Sequence, residues 1–327
     1  MTAAQRRVVA AAALLARGTM PVAMIASSLS RPATLRLAPM PQNTRPLPPS
    51  LLAVHESGRW RTWWRSERAP SAWTGRSELT EHVTWQAVAP GMWWGAVELA
   101  GSGEAWRTDL VVVLVDPRRA RLALDTAFTR ELRRDWSINR VPASARIALN
   151  AGQFVADLPW GWVVLDGRQY LPPGKGPLAS AFIIDSTGFV TWRHGPTTAE
   201  RRGAAWAFQS YPTLLEGGRV PAPLQSDGAG IDVAHRDARL AVGTRADSTL
   251  VIALTRFGAM GDRLGFVPFG LTTPEMAAVM GALGATDAML LDGGISAQLL
   301  VREPNGLTRR WPGIRRVPLA LLVFPRR

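Results

Sequence analysis

Residues 270–296 read GLTTPEMAAVMGALGATDAMLLDGGIS, a succession that predicts a helix, a tight turn and a buried strand. The helix is expected over residues 273–283, where apolar side chains recur at helical spacing. Thr272 or Thr273 can cap its first turn, and Gly284 ends it. The segment therefore predicts one helix that a glycine joins to the following strand.

An apolar strand predicted over residues 288–291 runs directly into Asp292, which two glycines follow. A carboxylate at a strand end is accessible to a ligand there, since glycine lets the ligand approach the backbone closely. The same residues also suit an ordinary turn in which Asp292 accepts hydrogen bonds from its own backbone. This motif alone leaves both interpretations open, and the other polar clusters of the chain favour the first.

The composition bounds the size and the chemistry of the protein. The chain has 327 residues, of which 47% are hydrophobic, and this is enough for a sizeable core. There is no cysteine, so disulfides, thiolate catalysis and cysteine-based zinc sites are excluded. The four histidines lack metal-ligand spacing, and no structural zinc site is predicted.

The charge of the chain bears on its partners. The formal net charge is +13, carried almost entirely by arginine. Such a charge suits nucleic acid, anionic lipid or anionic polysaccharide. The chain has no long basic block, helix-turn-helix pattern or RNA-binding aromatic motif, so nucleic acid is not predicted as a partner. A binder of anionic polymers or membrane surfaces stays open as a rival interpretation.

The N-terminal part predicts three successive regions. Residues 1–31, in which arginines precede an apolar run over residues 8–16, predict an export signal or short anchor that associates with a membrane surface. The alternative for this region is a disordered, alanine-rich arm. Residues 32–81 are rich in proline, tryptophan and arginine and predict a linker and lead-in. Residues 82–327 are expected to form a single catalytic-type domain.

Short apolar segments separated by turns dominate this domain. Strands are predicted over residues 83–88, 93–99, 109–115, 120–124, 147–149, 162–165, 181–185, 189–192, 240–242, 250–255 and 317–324. Residues 120–124 are the expected hairpin partner of 109–115, and residues 128–136 are a candidate second helix. The pattern predicts an α+β fold, with a mixed or mostly antiparallel sheet packed against a few helices.

Four polar clusters share one design, in which a polar residue ends or adjoins a short apolar strand beside glycine or another small residue. They begin at Asn150 (NAGQF), Gln209 (QSYP), Arg239 (RLAVG) and Asp292 (DGGIS). Polar groups at strand ends tend to converge on one side of a sheet. The four clusters therefore predict one site.

At these clusters the chain resembles the phosphodiester glycosidase family. The matching stretches are NAGQF (150–154), SYPTLL (210–215), RLAVG (239–243), GLTTPEMA (270–277) and LDGGISA (291–297). They occur in the family's order, and the resemblance covers residues 82–327.

The chain departs from the family pattern at four positions. Gln153 stands in place of a phenylalanine, and Ile295 in place of a glycine. Leu240 replaces a threonine and Ala297 a serine, and each of these changes removes a hydroxyl that could bind substrate. The departures make the fold a firmer expectation than the substrate.

The resemblance implies a glycosidase acting on glycosyl phosphodiesters, with catalytic roles for three residues. Asp292 is the expected essential carboxylate, as general acid or base, nucleophile or sugar ligand. Arg239 is the expected phosphate ligand, since its planar charged fork fits phosphate oxygens. Its alternative is a surface ion pair with Asp237. Asn150 is expected to bind sugar hydroxyls or stabilise transition-state charge; its alternative is a turn residue before Gly152.

Further residues of the clusters are expected to bind substrate. They are Ser296, Gly293, Gly294, Gly152, Gln209 and Ser210. Ser296 is expected to contact substrate through its hydroxyl; its alternative is a simple turn residue. Gln209 and Ser210 are expected to line the site; their alternative is a place in turns of the core. Neither a metal nor a cofactor is predicted, although a divalent cation bound through Asp292 stays open.

The sequence offers only weak partners for Asp292, although glycoside hydrolysis generally uses two carboxylates. The candidates are Glu216, Asp227, Asp232 and Glu275. Glu275 is more simply explained as a charge at a helix N-terminus. Because phosphate is a better leaving group than a sugar alkoxide, one carboxylate and one arginine could suffice.

The chain contains 14 tryptophans. Sugar faces stack on indole rings, although most tryptophans pack in protein cores. Side chains near Trp160 and Trp162 are expected to reach the site.

The sequence as a whole predicts an exported, bacterial-type hydrolase that is periplasmic or extracellular. Its expected partner is a sugar 1-phosphodiester on an envelope or extracellular glycan. The alternative is a non-catalytic glycan-binding or exopolysaccharide-assembly protein with the same fold, which the four departures and the missing second carboxylate favour.

Overall fold

The computed structural model describes residues 45–74, 78–127, 136–155, 157–176, 178–194, 203–227, 231–258 and 269–326. The predicted export segment lies outside these ranges, as does nearly all of the candidate helix over residues 128–136. Within the described ranges, no helix has both the length and the apolar character needed to cross a membrane.

The described residues form 23 β-strands and one α-helix. The strands are β1 (Arg45–Pro46), β2 (Leu51–Glu56), β3 (Arg59–Arg65), β4 (Gln86–Ala89), β5 (Met92–Gly101), β6 (Thr108–Val115), β7 (Ala120–Thr126), β8 (Ile147–Asn150), β9 (Phe154–Val155), β10 (Leu158–Pro159), β11 (Val163–Leu165), β12 (Arg168–Leu171), β13 (Ser180–Asp185), β14 (Val190–His194), β15 (Ala204–Ser210), β16 (Thr213–Leu215), β17 (Ser226–Asp227), β18 (Leu240–Arg245), β19 (Leu250–Phe257), β20 (Ala285–Leu290), β21 (Leu299–Arg302), β22 (Thr308–Trp311) and β23 (Leu319–Pro325). The helix α1 spans Thr273–Ala282. The expected antiparallel strands are present, but the described part of the protein is mainly β rather than α+β, because most of its apolar runs are too short for helices.

The largest sheet has nine strands, in the order β16–β20–β18–β19–β6–β5–β2–β3 with β4 paired to β5. All of these pairs are antiparallel. β2 and β3 come from the region that the sequence predicts as a lead-in, and β2 buries Leu52 and Val54 in the core. Strands from before residue 82 thus belong to the same sheet as the later ones.

β6 shows how the large sheet is buried on both faces. Val111, Val113 and Val115 lie in the core that this sheet shares with two five-stranded sheets. Leu110 and Val112 lie in a second core, which contains the buried residues of α1. Successive side chains of a strand point to opposite faces, so a strand buried on both sides reads as a continuous apolar run.

The two five-stranded sheets have the orders β22–β21–β8–β23–β7 and β12–β11–β15–β13–β14. The first contributes Leu149 and Leu321 to the shared core, and the second contributes Phe182 and Phe208. One face of the nine-stranded sheet therefore packs against both smaller sheets, and the ends of strands from all three sheets meet beside this core.

The predicted hairpin between residues 109–115 and 120–124 is wrong. β6 has β5 on one side and β19 on the other, so both of its edges are already paired. β7 instead pairs along its whole length with β23 in a different sheet. Leu122 and Leu124 of β7 still reach the shared core, from the side opposite β6.

The helix α1 confirms the prediction for residues 273–283. Thr272 caps it reciprocally with Glu275: the Thr272 hydroxyl accepts the Glu275 N–H at 3.3 Å, and the Thr272 N–H donates to Glu275 Oε2 at 2.9 Å. A Cβ at Gly281 would collide with the ring of Trp73, so the glycine lets that indole pack directly on the helix. This buried helix leads straight into β20 and the Asp292 turn.

Candidate active site

The turn that begins at Asp292 is the point where strand ends from the three sheets meet. Asn150, the last residue of β8, donates from Nδ2 to the Asp292 carbonyl at 2.9 Å. The Asp292 N–H donates to the Gly152 carbonyl at 3.0 Å. Ser210, the last residue of β15, donates from Oγ to the Leu290 carbonyl at 2.6 Å. These bonds join three of the four predicted clusters.

The Arg239 cluster is linked to the Asp292 turn by backbone hydrogen bonds. The Leu291 N–H donates to the Leu240 carbonyl at 2.8 Å, and the Gly294 N–H donates to the Ala238 carbonyl at 2.8 Å. All four clusters therefore converge, as the sequence predicts. The reason is topological, because β18 and β20 are neighbours in the large sheet and β8 and β15 end beside them.

A cleft of about 480 Å³ opens beside this turn. Among its lining residues are Asp292, Gly293, Arg239, Asp237, Asp232, Gln153, Trp160, Lys175 and Tyr211. Three of the predicted site residues, namely Asp292, Arg239 and Gly293, thus face one concave surface. The other six predicted residues are not part of this lining, and their contact with substrate stays a prediction.

Asp292 is half-buried, and its surroundings set its acidity. Burial raises the pKa of the Asp292 carboxyl from 3.8 to about 6, because ionisation is less favourable away from water. A hydrogen bond from the Ser296 hydroxyl and the positive charge of Arg315 oppose this rise, and the negative charge of Asp237 adds to it. A carboxyl with such a pKa can exchange protons near neutral pH.

Arg239 is held by backbone carbonyls. Its Nε donates to Leu271 O at 2.9 Å, and its Nη2 donates to His235 O at 2.5 Å. These carbonyls, and not the Asp237 carboxylate, accept the bonds, so the alternative of a simple surface ion pair does not describe this side chain. Burial lowers the pKa of Arg239, and the nearby carboxylate of Asp237 opposes that effect. Nη1 has no hydrogen-bond partner among the described residues and is available to an anion in the cleft.

Three of the predicted polar residues support the cleft from beneath. Asn150 is fully buried, and its Oδ1 accepts the Gln298 N–H at 2.9 Å. Gln209 is also buried, and its Oε1 accepts the N–H groups of Trp162 and Gly174 at 3.0 and 2.8 Å. With Ser210, these side chains hold backbone segments that frame the cleft.

The glycines of the turn allow a close approach between two chain segments. A Cβ at Gly293 would lie 2.6 Å from the Ala238 carbonyl oxygen. Gly294 has a φ of +55°, and a Cβ there would lie 2.6 Å from Oδ2 of Asp237. Ser296 is buried in the same turn, and hydrogen bonding from its hydroxyl acts to lower the pKa of the Asp292 carboxyl. The turn is therefore packed tightly against the segment that carries Asp237 and Arg239.

Two aromatic side chains form one wall of the cleft. The rings of Trp160 and Tyr211 meet edge to face, with their centroids 4.7 Å apart. Trp160 was expected near the site and lies there, whereas Trp162 is fully buried in another cluster. Gly161 between them has a φ of +79°, so the chain turns there and the two indoles do not share one side as alternate residues of an extended segment would.

The four departures from the family pattern differ in their placement. Gln153 lines the cleft, and its Nε2 donates to the Tyr211 carbonyl at 3.1 Å. Leu240 and Ala297 are fully buried in the shared core. Ile295 is 38% exposed and is not part of the cleft lining. The two lost hydroxyls therefore lie away from the surface of the cleft.

Asp237 is the functional candidate that sequence reasoning missed, since it considered this residue only as an ion-pair partner. Of the weak partners it named for Asp292, Asp232 lines the cleft. Glu275 is fully buried and forms an ion pair with Arg236 at 2.6 and 2.7 Å. The position of Asp237 two residues before Arg239 was the available signal, because alternate residues of an extended segment face the same side.

The remaining two candidates, Glu216 and Asp227, do not line the cleft. Glu216 lies near His194, with 3.8 Å between Glu216 Oε1 and His194 Nε2, and Asp227 is in β17 at the edge of a two-stranded sheet. Across the ranges that the structure describes, no group of three or more His, Asp or Glu side chains is arranged to hold a metal ion.

The chain is similar to a known protein family and to solved structures. The phosphodiester glycosidase profile matches residues 143–324, more than half of the chain. The catalytic domain of zebrafish N-acetylglucosamine-1-phosphodiester alpha-N-acetylglucosaminidase, described as auto-inhibited by its pro-peptide, has a TM-score of 0.57 at 16% identity, and the match covers 79% of this chain and 94% of that domain. A hypothetical protein from Synechocystis has a TM-score of 0.49 at 16% identity, covering 84% of this chain and 68% of the other. No curated protein sequence is significantly similar to the chain. The family profile nevertheless spans every one of the four clusters, and the chain belongs to the phosphodiester glycosidase family.

Proposed function

We propose that the protein hydrolyses a sugar 1-phosphodiester, releasing the sugar and a phosphomonoester. The observation that carries this proposal is the placement of Arg239 and Asp292 in the lining of one cleft, which gives the cleft both a cation and a carboxyl of raised pKa. Membership of the phosphodiester glycosidase family supports the same class of reaction.

Arg239 is the proposed phosphate ligand. A phosphodiester keeps its negative charge at any physiological pH, and a guanidinium stays charged and presents a planar fork to its oxygens. The bonds from Arg239 to Leu271 O and His235 O fix the plane of the group before substrate arrives. Such preorganisation favours the transition state, in which charge builds up on the departing phosphate.

Asp292 is the proposed catalytic carboxylate. With its pKa at about 6, the group is mostly ionised at neutral pH and can accept a proton from an attacking water. Hydrolysis proceeds through a transition state with positive charge on the sugar ring, and a carboxylate beside the anomeric carbon stabilises that charge.

The edge-to-face pair of Trp160 and Tyr211 is the proposed contact for the apolar face of the sugar. Aromatic rings on one wall and hydrogen-bonding groups on the other are the usual composition of a small-molecule cleft. The burial of Leu240 and Ala297 favours catalysis over the non-catalytic alternative, because the hydroxyls missing there would not have lined the cleft.

We also propose the biological setting that the sequence indicates. Residues 1–31 support export, with residence in the periplasm or outside the cell or association with a membrane surface through this segment. An envelope or extracellular glycan is then the proposed source of the phosphodiester. A nucleic-acid partner is not part of this proposal, and a divalent cation at Asp292 is treated as a variable of the assay.

The full-length protein should be tested on a panel of sugar 1-phosphodiesters, with added divalent cation and with chelator. Release of sugar by the wild type and its loss in Asp292→Asn is the expected result. Asp166→Asn is the matched control, since Asp166 lies in an exposed turn between β11 and β12 and has the positive φ that asparagine also tolerates. Binding of glycans without release of sugar from any substrate would favour the non-catalytic alternative.

A further inference from the structure

Asp237 is fixed in the cleft by its backbone and by its side chain. Its N–H donates to Leu271 O at 3.2 Å, and its carbonyl accepts the Leu271 N–H at 3.1 Å. Its Oδ1 accepts the Ala238 N–H at 2.8 Å. This leaves Oδ2 against the glycine turn that follows Asp292, since a Cβ at Gly294 would lie 2.6 Å from that oxygen. The two carboxyl groups therefore share the same end of one cleft.

We propose that Asp237 is the second catalytic carboxylate of this site and donates the proton to the departing phosphate oxygen, while Asp292 is the base. The proposal rests on the function proposed above. It supplies the partner carboxylate that glycoside hydrolysis generally requires and that the sequence alone does not identify.

The division of roles follows from the neighbours of each group. Asp237 stands two residues before Arg239, the proposed phosphate ligand, and it is therefore the carboxyl closer in sequence to the phosphate site. The charges of Arg239 and His235 and the Ala238 N–H favour the ionised form of Asp237 in the free protein. The proton is therefore expected on Asp237 only once the phosphodiester has bound, with the negative charge on Asp292.

Substrate binding is expected to promote protonation of the Asp237 carboxylate. Burial raises the pKa of Asp237, whereas the positive charge of Arg239 lowers it. A bound phosphodiester anion cancels the charge of Arg239 and adds a negative charge beside Asp237, so protonation of Asp237 becomes more favourable. The charged and titratable groups that surround the pair are Arg239, His235, Asp232, Lys175 and Arg315.

The proposed step balances as follows. The bond between the anomeric carbon and the phosphate oxygen breaks, its electron pair stays on that oxygen, and the oxygen takes the proton of Asp237. A water oxygen bonds to the anomeric carbon while Asp292 takes one of the water's protons. The products are a free sugar and a phosphomonoester, and exchange with solvent returns the proton from Asp292 and restores the one on Asp237.

The test compares Asp237→Asn with the wild type and with Asp166→Asn in the full-length protein. An asparagine Oδ1 can still accept the Ala238 N–H, so the loop conformation is expected to persist. Asp166 lies in the exposed turn between β11 and β12 and is not part of the cleft lining, so Asp166→Asn is a matched loss of one carboxylate away from the site. The measurements are kcat, KM and the dependence of kcat on pH.

The wild type is expected to show a bell-shaped profile of kcat against pH, in which the alkaline limb reports the acid. Asp237→Asn is expected to lose about 10²-fold or more in kcat, with a smaller change in KM, and to lose the alkaline limb. Asp166→Asn is expected to keep both limbs. A merely structural role of Asp237 would leave the shape of the profile unchanged.

Two results overturn the proposal while leaving the proposed function intact. One is an active wild type whose kcat shows no alkaline limb, a result that does not depend on how any variant folds. The other is a folded Asp237→Asn with the turnover and the profile of Asp166→Asn. A wild type that releases no sugar from any phosphodiester overturns the proposed function itself, and the role of Asp237 with it.

Discussion

Asp292 combines two properties that a purely structural residue rarely has. It is half-buried without a cation close enough to form an ion pair among the described residues, and burial moves its pKa from 3.8 to about 6. The displacement of the pKa corresponds to a free energy of ~3 kcal/mol that ionisation costs the folded state. Groups kept in such surroundings at a cost to stability are characteristic of functional sites.

The raised pKa of Asp292 predicts how the stability of the protein depends on pH. A raised folded pKa means that the folded state binds the proton of Asp292 more tightly than the unfolded chain does. The stabilising contribution is present below the unfolded pKa, near 4, and is lost as the pH rises through about 6. Asp292→Asn removes the ionisation, and it is expected to increase the free energy of unfolding by about 1–3 kcal/mol at pH 8 and by much less at pH 4.

Urea unfolding of the wild type and Asp292→Asn at pH 4 and pH 8 measures this difference. Asp166→Asn in its exposed turn serves as the control and should show no comparable dependence on pH. An equal effect of Asp292→Asn at both pH values would show that burial of the charge is not what sets the stability.

At the residue scale, the sequence predicts which residues stand near the site better than it predicts which of their side chains line the cleft. Asp292, Arg239 and Gly293 were predicted as site residues and line the cleft. Asn150 and Gln209 were predicted by the same motif argument, yet their side chains bind backbone groups beneath it. A motif shows which residue stands at a strand end, but only the packed structure shows on which side of the backbone its polar atoms lie.

At the scale of the element, the site is a set of connections between strands. The turn after β20 packs so closely on the segment before β18 that a Cβ at Gly293 would lie 2.6 Å from a backbone oxygen of Ala238. Because that oxygen belongs to the residue between Asp237 and Arg239, a displacement of it is expected to move the side chains of both.

Gly293→Ala is accordingly expected to lower kcat/KM by at least tenfold and the free energy of unfolding by about 1–3 kcal/mol, as overpacking commonly does. Enzyme kinetics and urea unfolding measure the two effects. Gly203→Ala is the control, because a Cβ there would meet no described atom within 4 Å. Full activity of Gly293→Ala would show that the turn can move without disturbing the segment opposite.

The helix α1 makes a separate prediction, which concerns stability rather than catalysis. The side chains of Thr272 and Glu275 each accept the backbone N–H of the other residue at the N-terminus of the helix. Thr272→Ala removes the hydroxyl acceptor and is expected to lower the free energy of unfolding by about 1 kcal/mol. Thr272→Ser keeps the acceptor and should restore most of the loss in chemical denaturation. An equally destabilised serine variant would point to the methyl group instead of the cap.

At the scale of the whole molecule, the cleft and the protein surface differ in charge. The chain carries a formal net charge of +13, whereas the cleft is lined by three carboxylates and by Arg239 and Lys175 as its cations. Attraction of the proposed phosphodiester substrate is therefore expected from the summed field of the molecule rather than from the lining. Such a field acts over long distances and is screened by salt.

The value of kcat/KM for a phosphodiester is thus expected to fall by several-fold between about 0.01 M and 1 M ionic strength, because the Debye length shortens from about 30 Å to about 3 Å. A neutral aryl glycoside of the same sugar, if cleaved, should show little dependence on salt. Kinetics across a salt series test this. An increase of kcat/KM with salt would mean that the carboxylates of the cleft dominate the approach of substrate.

The sequence alone determined the elements with local signals, the converging strand ends and the family. The cap at Thr272, the stop at Gly284 and the alternation of the short strands depend on neighbours within a few residues, so the pattern predicts them. Tertiary structure decided what depends on residues distant along the chain. It placed β7 beside β23 rather than β6, turned Trp162 inward while Trp160 faces the cleft, and brought Asp237 to the turn of Asp292. These outcomes follow from which strand edges are already paired and which surfaces pack together, and both are settled only when the sheets assemble.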